Sequence, residues 1–327
     1  MQILSLSGYG LNVHVDGGKL VVKDGNRHDF EPHEQKFRRK MLNFDKLVIN
    51  GNTGNITIPA IRWLMKQKRD IAILDWNGRL VTAMSPVLAN QGVIKLAQYE
   101  TRKDPKKQTT IAKWLIRQKI EGSIRVFDWL KSHYKDFSYD PIIYKYLQDL
   151  EKAESVNAVI RIESIVSKIY WSKLASVFDK KWEFFLRNYW INKGTRDADD
   201  PINALFNYGF SILESEIWKV VNTVGLEPFL GFIHKTNTDK APLIYDLQEP
   251  FRWLVELSIL KILYKKMVTK SDFITTDEGN VRLKPSAVKI VLDAFARQLS
   301  TKILYNGMRR EWQTMITIRT RELLRQF

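Results

Sequence analysis

Leu80-Val-Thr-Ala-Met-Ser-Pro86 decides the fold, because the period of the chain changes there. Before it, apolar residues come in short alternating or continuous runs bounded by turn residues. After it, they recur every three or four positions. A period near two marks strands and a period near 3.6 marks helices. Residues 1–85 are therefore expected to form a small β-rich N-terminal domain, closed by Leu80-Val-Thr-Ala83. Residues 86–108 read as a linker and first helix, and residues 109–327 as a larger all-α C-terminal domain, so the class is α+β.

Outward from that boundary, Leu11-Asn-Val-His-Val15 and Lys19-Leu-Val-Val22 flank Asp16-Gly17-Gly18, which is hairpin punctuation. Asp24-Gly25 marks a second turn before His28-Asp-Phe30. Leu47–Asn50 and Ile71–Leu74 read as short buried strands on either side of a helix that begins near Pro59 and carries Ile61, Trp63, Leu64 and Met65. On the other side, helical spacing runs through Ile111-Ala-Lys-Trp-Leu-Ile116. It returns at Val159, Ile162, Ile165, Val166 and Ile169, and at Ala204, Leu205, Tyr208, Ile212 and Leu213. Arg102–Lys107 reads as a solvated joint, and Gly225–Pro242 as a loop-rich interruption.

The chain has 327 residues, enough for two cores, and its 44% hydrophobic content predicts a folded protein. Lys and Arg total 52 against 36 Asp and Glu, a formal charge of +16. Such an excess suits a polyanionic partner, and its interleaving with aromatic residues favours nucleic acid; solubility or an ion-pair-rich surface is the plainer explanation. Cysteine is absent, which excludes disulfides, thiolate metal sites and cysteine nucleophiles. Met1–Gly8 lacks the pattern of a secretory signal, and no apolar run approaches the roughly 18 residues that span a bilayer. A soluble, cytoplasmic protein without a membrane partner is expected.

Three side chains far apart in sequence are candidates for chemistry: Glu163, His234 and Glu249. Two carboxylates and an imidazole suit a hard-to-borderline divalent cation, Mg²⁺ or Mn²⁺. Glu163 has Val159, Ile160, Val166 and Tyr170 around it at helical spacing, where a carboxylate must be paired or bind a cation. A buried salt bridge to a distant basic residue satisfies the same condition. His234 ends the apolar segment Phe229–Ile233 and opens a polar loop; a satisfied structural histidine is the alternative. Asp246 and Glu249 are spaced to share a helix face, yet Asp-x-x-Glu followed by Pro250 also reads as a helix-start cap. Tyr245 and Arg252 flank them and are suited to stack on a base or sugar and to hold a phosphate. Asp200-Pro201 looks like a helix start that would put Arg196 and Asn203 where phosphate binding is favourable, although a solvated loop and cap explains the same residues.

Four segments then carry a resemblance: Ile162-Glu-Ser164 with Lys168-Ile-Tyr170; Arg196-Asp-Ala-Asp-Asp-Pro-Ile-Asn-Ala-Leu-Phe-Asn-Tyr-Gly-Phe210; Val224-Gly-Leu-Glu-Pro-Phe-Leu-Gly-Phe-Ile-His234; and Leu243-Ile-Tyr-Asp-Leu-Gln-Glu-Pro-Phe-Arg252. Their order and spacing resemble CRISPR-associated protein one, the spacer-acquisition integrase, over nearly the whole chain. Ser164 stands where the family usually has glycine, and Glu249 where Asp or Glu occurs. The resemblance implies that Glu163, His234 and Glu249 are catalytic metal ligands and that Asp246 orients His234 or assists a second ion. It further implies a homodimer formed through the N-terminal domain and a complex with CRISPR-associated protein two. That assembly would join the 3′-hydroxyl ends of a captured DNA duplex to CRISPR repeat DNA by phosphodiester transesterification, with endonuclease activity as the related outcome.

Three other functions compete. A transposon-borne (casposon) integrase would share the triad; such enzymes usually continue past the helical domain, whereas this chain stops after the Arg-rich segment Arg309–Arg325, which counts against them. A non-catalytic basic DNA-binding scaffold would not need Glu163. A general metal-dependent nuclease would cleave branched DNA without joining strands.

Overall fold

The computed structural model describes residues 2–26, 33–51, 53–86, 92–184, 197–234 and 241–327. The chain packs into two compact units. One comprises Met1–Val87, Asp197–Ser215 and Lys261–Thr301, the other Leu88–Arg196, Glu216–Leu260 and Lys302–Phe327. The N-terminal elements are β1 (Ile3–Ser7), β2 (Leu11–Asp16), β3 (Lys19–Lys23), β4 (Glu34–Phe37), β5 (Lys46–Asn50), β6 (Gly54–Ile56), α1 (Ile58–Lys66), β7 (Asp70–Leu74) and β8 (Leu80–Met84). They are followed by α2 (Gly92–Lys103), α3 (Pro105–His133), α4 (Ile142–Glu151), α5 (Val156–Ala175), α6 (Pro201–Val224), α7 (Pro242–Gln248) and α8 (Arg252–Tyr264). The chain ends with β9 (Phe273–Thr275), β10 (Val281–Leu283), α9 (Pro285–Leu299), β11 (Lys302–Tyr305), β12 (Met308–Glu311) and α10 (Trp312–Leu324).

In the first unit, two four-stranded sheets run in the orders β1-β5-β7-β8 and β4-β3-β2-β6. The β2–β3 hairpin turns through Gly17 and Gly18, whose φ values of 52° and 76° suit the left-handed positions of a two-residue loop. Thr57 caps α1 by accepting the Ala60 N–H at 3.3 Å, and Pro59 lies in the first turn, where its missing N–H costs little. The buried face of α1, Ala60, Trp63 and Leu64, joins Val13, Leu20, Val22, Leu47 and Ile71 in one core. Burying each of the larger side chains contributes about 1.5–3 kcal/mol. Trp63 Nε1 also donates to the Gly18 carbonyl at 3.1 Å, tying the helix to the hairpin turn.

The C-terminal part is helical but not all-α as the periodicity predicted. Two short antiparallel hairpins, β9–β10 and β11–β12, interrupt it. The second turns through Asn306 and Gly307, both at positive φ (47° and 75°), and Asn-Gly is a strong signal for that turn. The joint at Arg102–Lys107 is an ordered corner. Asp104 Oδ1 accepts the N–H groups of Lys106 (2.8 Å) and Lys107 (3.2 Å), and Pro105 opens α3. His28-Asp-Phe30 lies outside the described residues. Among the described residues no helix is long and apolar enough to cross a membrane.

Two features of the second unit position the site. Helix α3 buries Ile111, Leu115, Ile116, Ile120, Phe127 and Leu130, and packs on α5 and on the 3₁₀ turn Glu249–Phe251 between α7 and α8. At Gly122 the approach is so close that an added Cβ would lie 2.3 Å from Trp253 Cδ1. This contact draws α3 against the start of α8, beside Glu249.

Candidate functional site

Glu163 projects from α5, a helix capped by Ser155 and buried along Val159, Val166, Tyr170 and Leu174. Ser167, one turn on, donates its hydroxyl to Glu163 Oε1 at 2.7 Å. Glu249 begins the 3₁₀ turn between α7 and α8, with Pro250 in the first turn of that short helix. These two glutamates come from elements far apart in sequence and meet at one cation. Lys119 Nζ of α3 lies 2.5 Å from Glu163 Oε1 and 2.6 Å from Glu249 Oε2. Arg252 Nε is farther from Glu249 Oε2, at 3.9 Å.

His234 is placed by Asp246. Asp246 Oδ2 accepts the backbone N–H groups of Phe232 (2.5 Å) and Ile233 (3.0 Å). Its Oδ1 accepts the His234 N–H at 3.0 Å and contacts His234 Nδ1 at 2.6 Å. The Asp246 side chain is fully buried, whereas the imidazole is 45% exposed. An ionised carboxylate only accepts, so Nδ1 carries the proton and Nε2 holds the free lone pair. Asp246 therefore acts within α7 as an acceptor for the preceding loop. It is not the helix-start cap that its spacing to Glu249 suggested.

The electrostatics follow from burial and these partners. Burial alone would raise the Glu249 pKa, but the Lys119 and Arg252 charges override it and hold the carboxyl at about 2. Burial disfavours the Lys119 ammonium, yet Glu249 and then Glu163 outweigh it and keep its pKa above the ordinary value. For His234, burial is outweighed by the Asp246 hydrogen bond and charge and by Glu249, so its pKa lies above 6.5. One helical turn beyond Arg252 on α8, Glu256 is buried and takes a 2.5 Å hydrogen bond from the Tyr170 hydroxyl. Burial raises the pKa of both groups. A pocket of about 260 Å³ opens here, bordered by Lys119, Ser123, Glu163, Ser167, Tyr170, Trp171, Glu249 and Arg252.

The sequence-predicted residues divide as follows. Glu163 and Glu249 converge, and His234 lies within electrostatic reach of Glu249 and Lys119. Among the described residues no three His, Asp or Glu side chains already form a coordination shell. The donor types nevertheless suit a hard-to-borderline divalent ion: two carboxylate oxygens face one position, held by the Lys119 ammonium, and the His234 imidazole lies within electrostatic reach of it. Tyr245 is half-buried, its ring 6.2 Å from that of His234. Asn203 belongs to the other unit and is buried. Its amide donates to Asp200 Oδ2 at 2.6 Å and its N–H to Asp200 Oδ1 at 2.8 Å, which places it in the cap of α6 and not on a phosphate-facing surface. Arg196 lies outside the described residues. Sequence reasoning missed Lys119. Its signal was position, because it follows Leu115 and Ile116 at the spacing of the buried stripe of α3.

The comparisons identify the family. The family model of CRISPR associated protein Cas1 matches residues 4–297. The chain is similar to CRISPR-associated endonuclease Cas1 1 of Archaeoglobus fulgidus, 26% identical over 98% of this chain and 95% of that protein. Among solved structures it resembles a casposase bound to integration product, with 36% identity, a TM-score of 0.91, and 99% of this chain and 90% of that chain covered. The same fold recurs in a Cas6-RT-Cas1–Cas2 complex, at 18% identity and a TM-score of 0.74, over 99% of this chain and 35% of that one. A casposase of which this chain spans 90% means that chain length does not separate the CRISPR from the transposon reading. With a Cas1 match over most of its length, the chain belongs to the Cas1 family of endonuclease and integrase enzymes.

Proposed function

We propose that this Cas1-family enzyme joins DNA 3′ ends to a target strand at a centre in which Glu163, His234 and Glu249 hold one Mg²⁺ or Mn²⁺. The observation that carries the proposal is the convergence of Glu163 and Glu249 on a single cation position, with His234 fixed nearby by Asp246. The bound ion would neutralise the non-bridging oxygens, activate the attacking 3′-hydroxyl and stabilise the leaving oxygen.

The chain's own groups do the rest. Asp246 keeps the His234 proton on Nδ1, so Nε2 stays available as a ligand. Ser167 holds the Glu163 carboxylate in place. Arg252 and Tyr245 border the site on the side of α7 and α8, where a phosphate and a sugar or base would lie. In the reaction the 3′-oxygen forms a new bond to phosphorus, the target strand's P–O3′ bond breaks, and the proton lost by the attacking hydroxyl is balanced by one gained at the leaving oxygen. One phosphodiester replaces another, so neither ATP nor a covalent enzyme intermediate is needed. The +16 charge supplies phosphate contacts and most of the affinity for DNA.

CRISPR adaptation, with a homodimer, CRISPR-associated protein two and a repeat array as partners, is the leading setting. The 36% identity to a casposase favours a second setting, integration of transposon ends by the same chemistry. A labelled duplex with free 3′ ends, a plasmid bearing repeats, Mn²⁺, and the partner protein present or absent would separate the two. Joining that requires the repeat and the partner supports CRISPR adaptation, and joining that requires neither supports the transposon setting. Joining at wild-type rate by Glu163→Gln or His234→Ala would exclude the metal-centre reading in both.

A further inference from the structure

We propose that Lys119 is a resident counter-ion of the metal centre, with its ammonium filling the cation position between Glu163 and Glu249 until a divalent ion displaces it. The inference rests on the reading of these glutamates as ligands and adds a positioning residue to them. Lys119 Nζ contacts one oxygen of each carboxylate, at 2.5 and 2.6 Å, and the two carboxylates come from α5 and from the turn after α7. Without a cation between them, the two carboxylates that meet at this ammonium would repel each other, and their shared ionised state would be disfavoured.

The segment of α3 that carries the lysine is held beside Glu249. The Lys119 carbonyl accepts the Ser123 hydroxyl at 3.1 Å, and the Gly122–Trp253 approach fixes α3 there. A divalent ion bound by the same oxygens leaves no room for the ammonium and repels it, with Arg252 already adding positive charge at 3.9 Å from Glu249. The adjoining pocket, which Lys119 itself borders, gives the released side chain somewhere to go. Ammonium and metal are thus alternative occupants of one position. The lysine keeps the carboxylates converged in the metal-free protein and sets a threshold for metal entry.

The test is calorimetric titration of the metal-free full chain with Mn²⁺, without DNA, in wild type, Lys119→Met, Lys119→Arg and Glu249→Gln. Lys119→Met should bind Mn²⁺ about 5- to 150-fold more tightly, the usual range for coupling between two bound groups. It should also melt at a lower temperature than wild type without metal and recover when Mn²⁺ is added. Lys119→Arg, which keeps the competing charge, should stay near wild type. If Lys119→Met folds poorly without metal, the Mn²⁺-dependent rise in its melting temperature gives the same comparison, and a rise no larger than that of wild type counts against the proposal. Unchanged or weaker Mn²⁺ binding by Lys119→Met, with Glu249→Gln impaired, overturns the counter-ion role alone. Wild-type binding by Glu249→Gln overturns the ligand reading beneath it.

Discussion

Replacing Asp246 by Asn tests the arrangement of the site most sharply, because the change is nearly isosteric and its consequences can be counted. The carboxylate receives four contacts, from Phe232 and Ile233 on Oδ2 and from the backbone and ring of His234 on Oδ1. An amide has one acceptor oxygen, so if it keeps the two His234 bonds, its NH₂ faces the N–H groups of Phe232 and Ile233. Losing two hydrogen bonds to a charged acceptor at about 1.5–3 kcal/mol each gives about 3–6 kcal/mol. That is a large part of the roughly 5–15 kcal/mol that stabilises a domain. The loop carrying His234 should loosen and Mn²⁺ affinity should fall about 10- to 100-fold, as when a hydrogen-bond partner of a ligand is removed. Urea denaturation followed by circular dichroism measures the first effect and calorimetry the second. A loss below about 1 kcal/mol with Mn²⁺ binding intact would mean that these contacts hold neither the loop nor the His234 ring. Loss of Mn²⁺ binding at full stability would instead make Asp246 a ligand itself.

Three further outcomes are expected. In the proposed centre Mn²⁺ needs the neutral His234 ring, whose metal-free pKa lies above 6.5, so affinity should fall as pH is lowered, with the loss already begun above pH 6.5; a flat profile by calorimetry between pH 8 and 6 would contradict this. In the metal-free protein the Glu249 pKa is depressed to about 2 from an ordinary 4.5, so its ionic contribution to stability is present above about pH 4.5 and is lost as pH falls through 2. Lys119→Met, which removes the largest charge holding that pKa down, should therefore acid-unfold at higher pH than wild type. Gly122→Ala places a methyl against Trp253 and should cost about 1–3 kcal/mol in urea titration. It should also weaken Mn²⁺ binding although it removes no ligand; wild-type stability would mean that α3 moves aside freely.

Much of this molecule could be read from its residues where a pattern repeats. The change of period at Ser85-Pro86, the Gly17-Gly18 turn and the helix opening at Pro59 are local signals, and the N-terminal strands and α1 carry them. Glu163 stood out as a carboxylate among apolar neighbours on a helix, and its partner turned out to be a lysine 44 residues away. That distance is why Lys119 was missed. One lysine among 52 basic residues has no mark of its role until α3 and α5 are packed together. The hairpins were missed for another reason. Strands of three or four residues are too short to outweigh the surrounding helical period, even with Asn306-Gly307 between two of them. Asn203 shows the converse error, since a residue near a helix start can be consumed by the cap itself.

The proposed centre is one divalent ion gripped by Glu163, His234 and Glu249. Anomalous diffraction from a crystal of this protein grown with Mn²⁺ addresses it directly. Such a centre gives a single manganese peak within bonding distance of an oxygen from each glutamate and of His234 Nε2, with the Lys119 ammonium withdrawn. A peak bound elsewhere, or none while Lys119 still bridges the two glutamates, would contradict it.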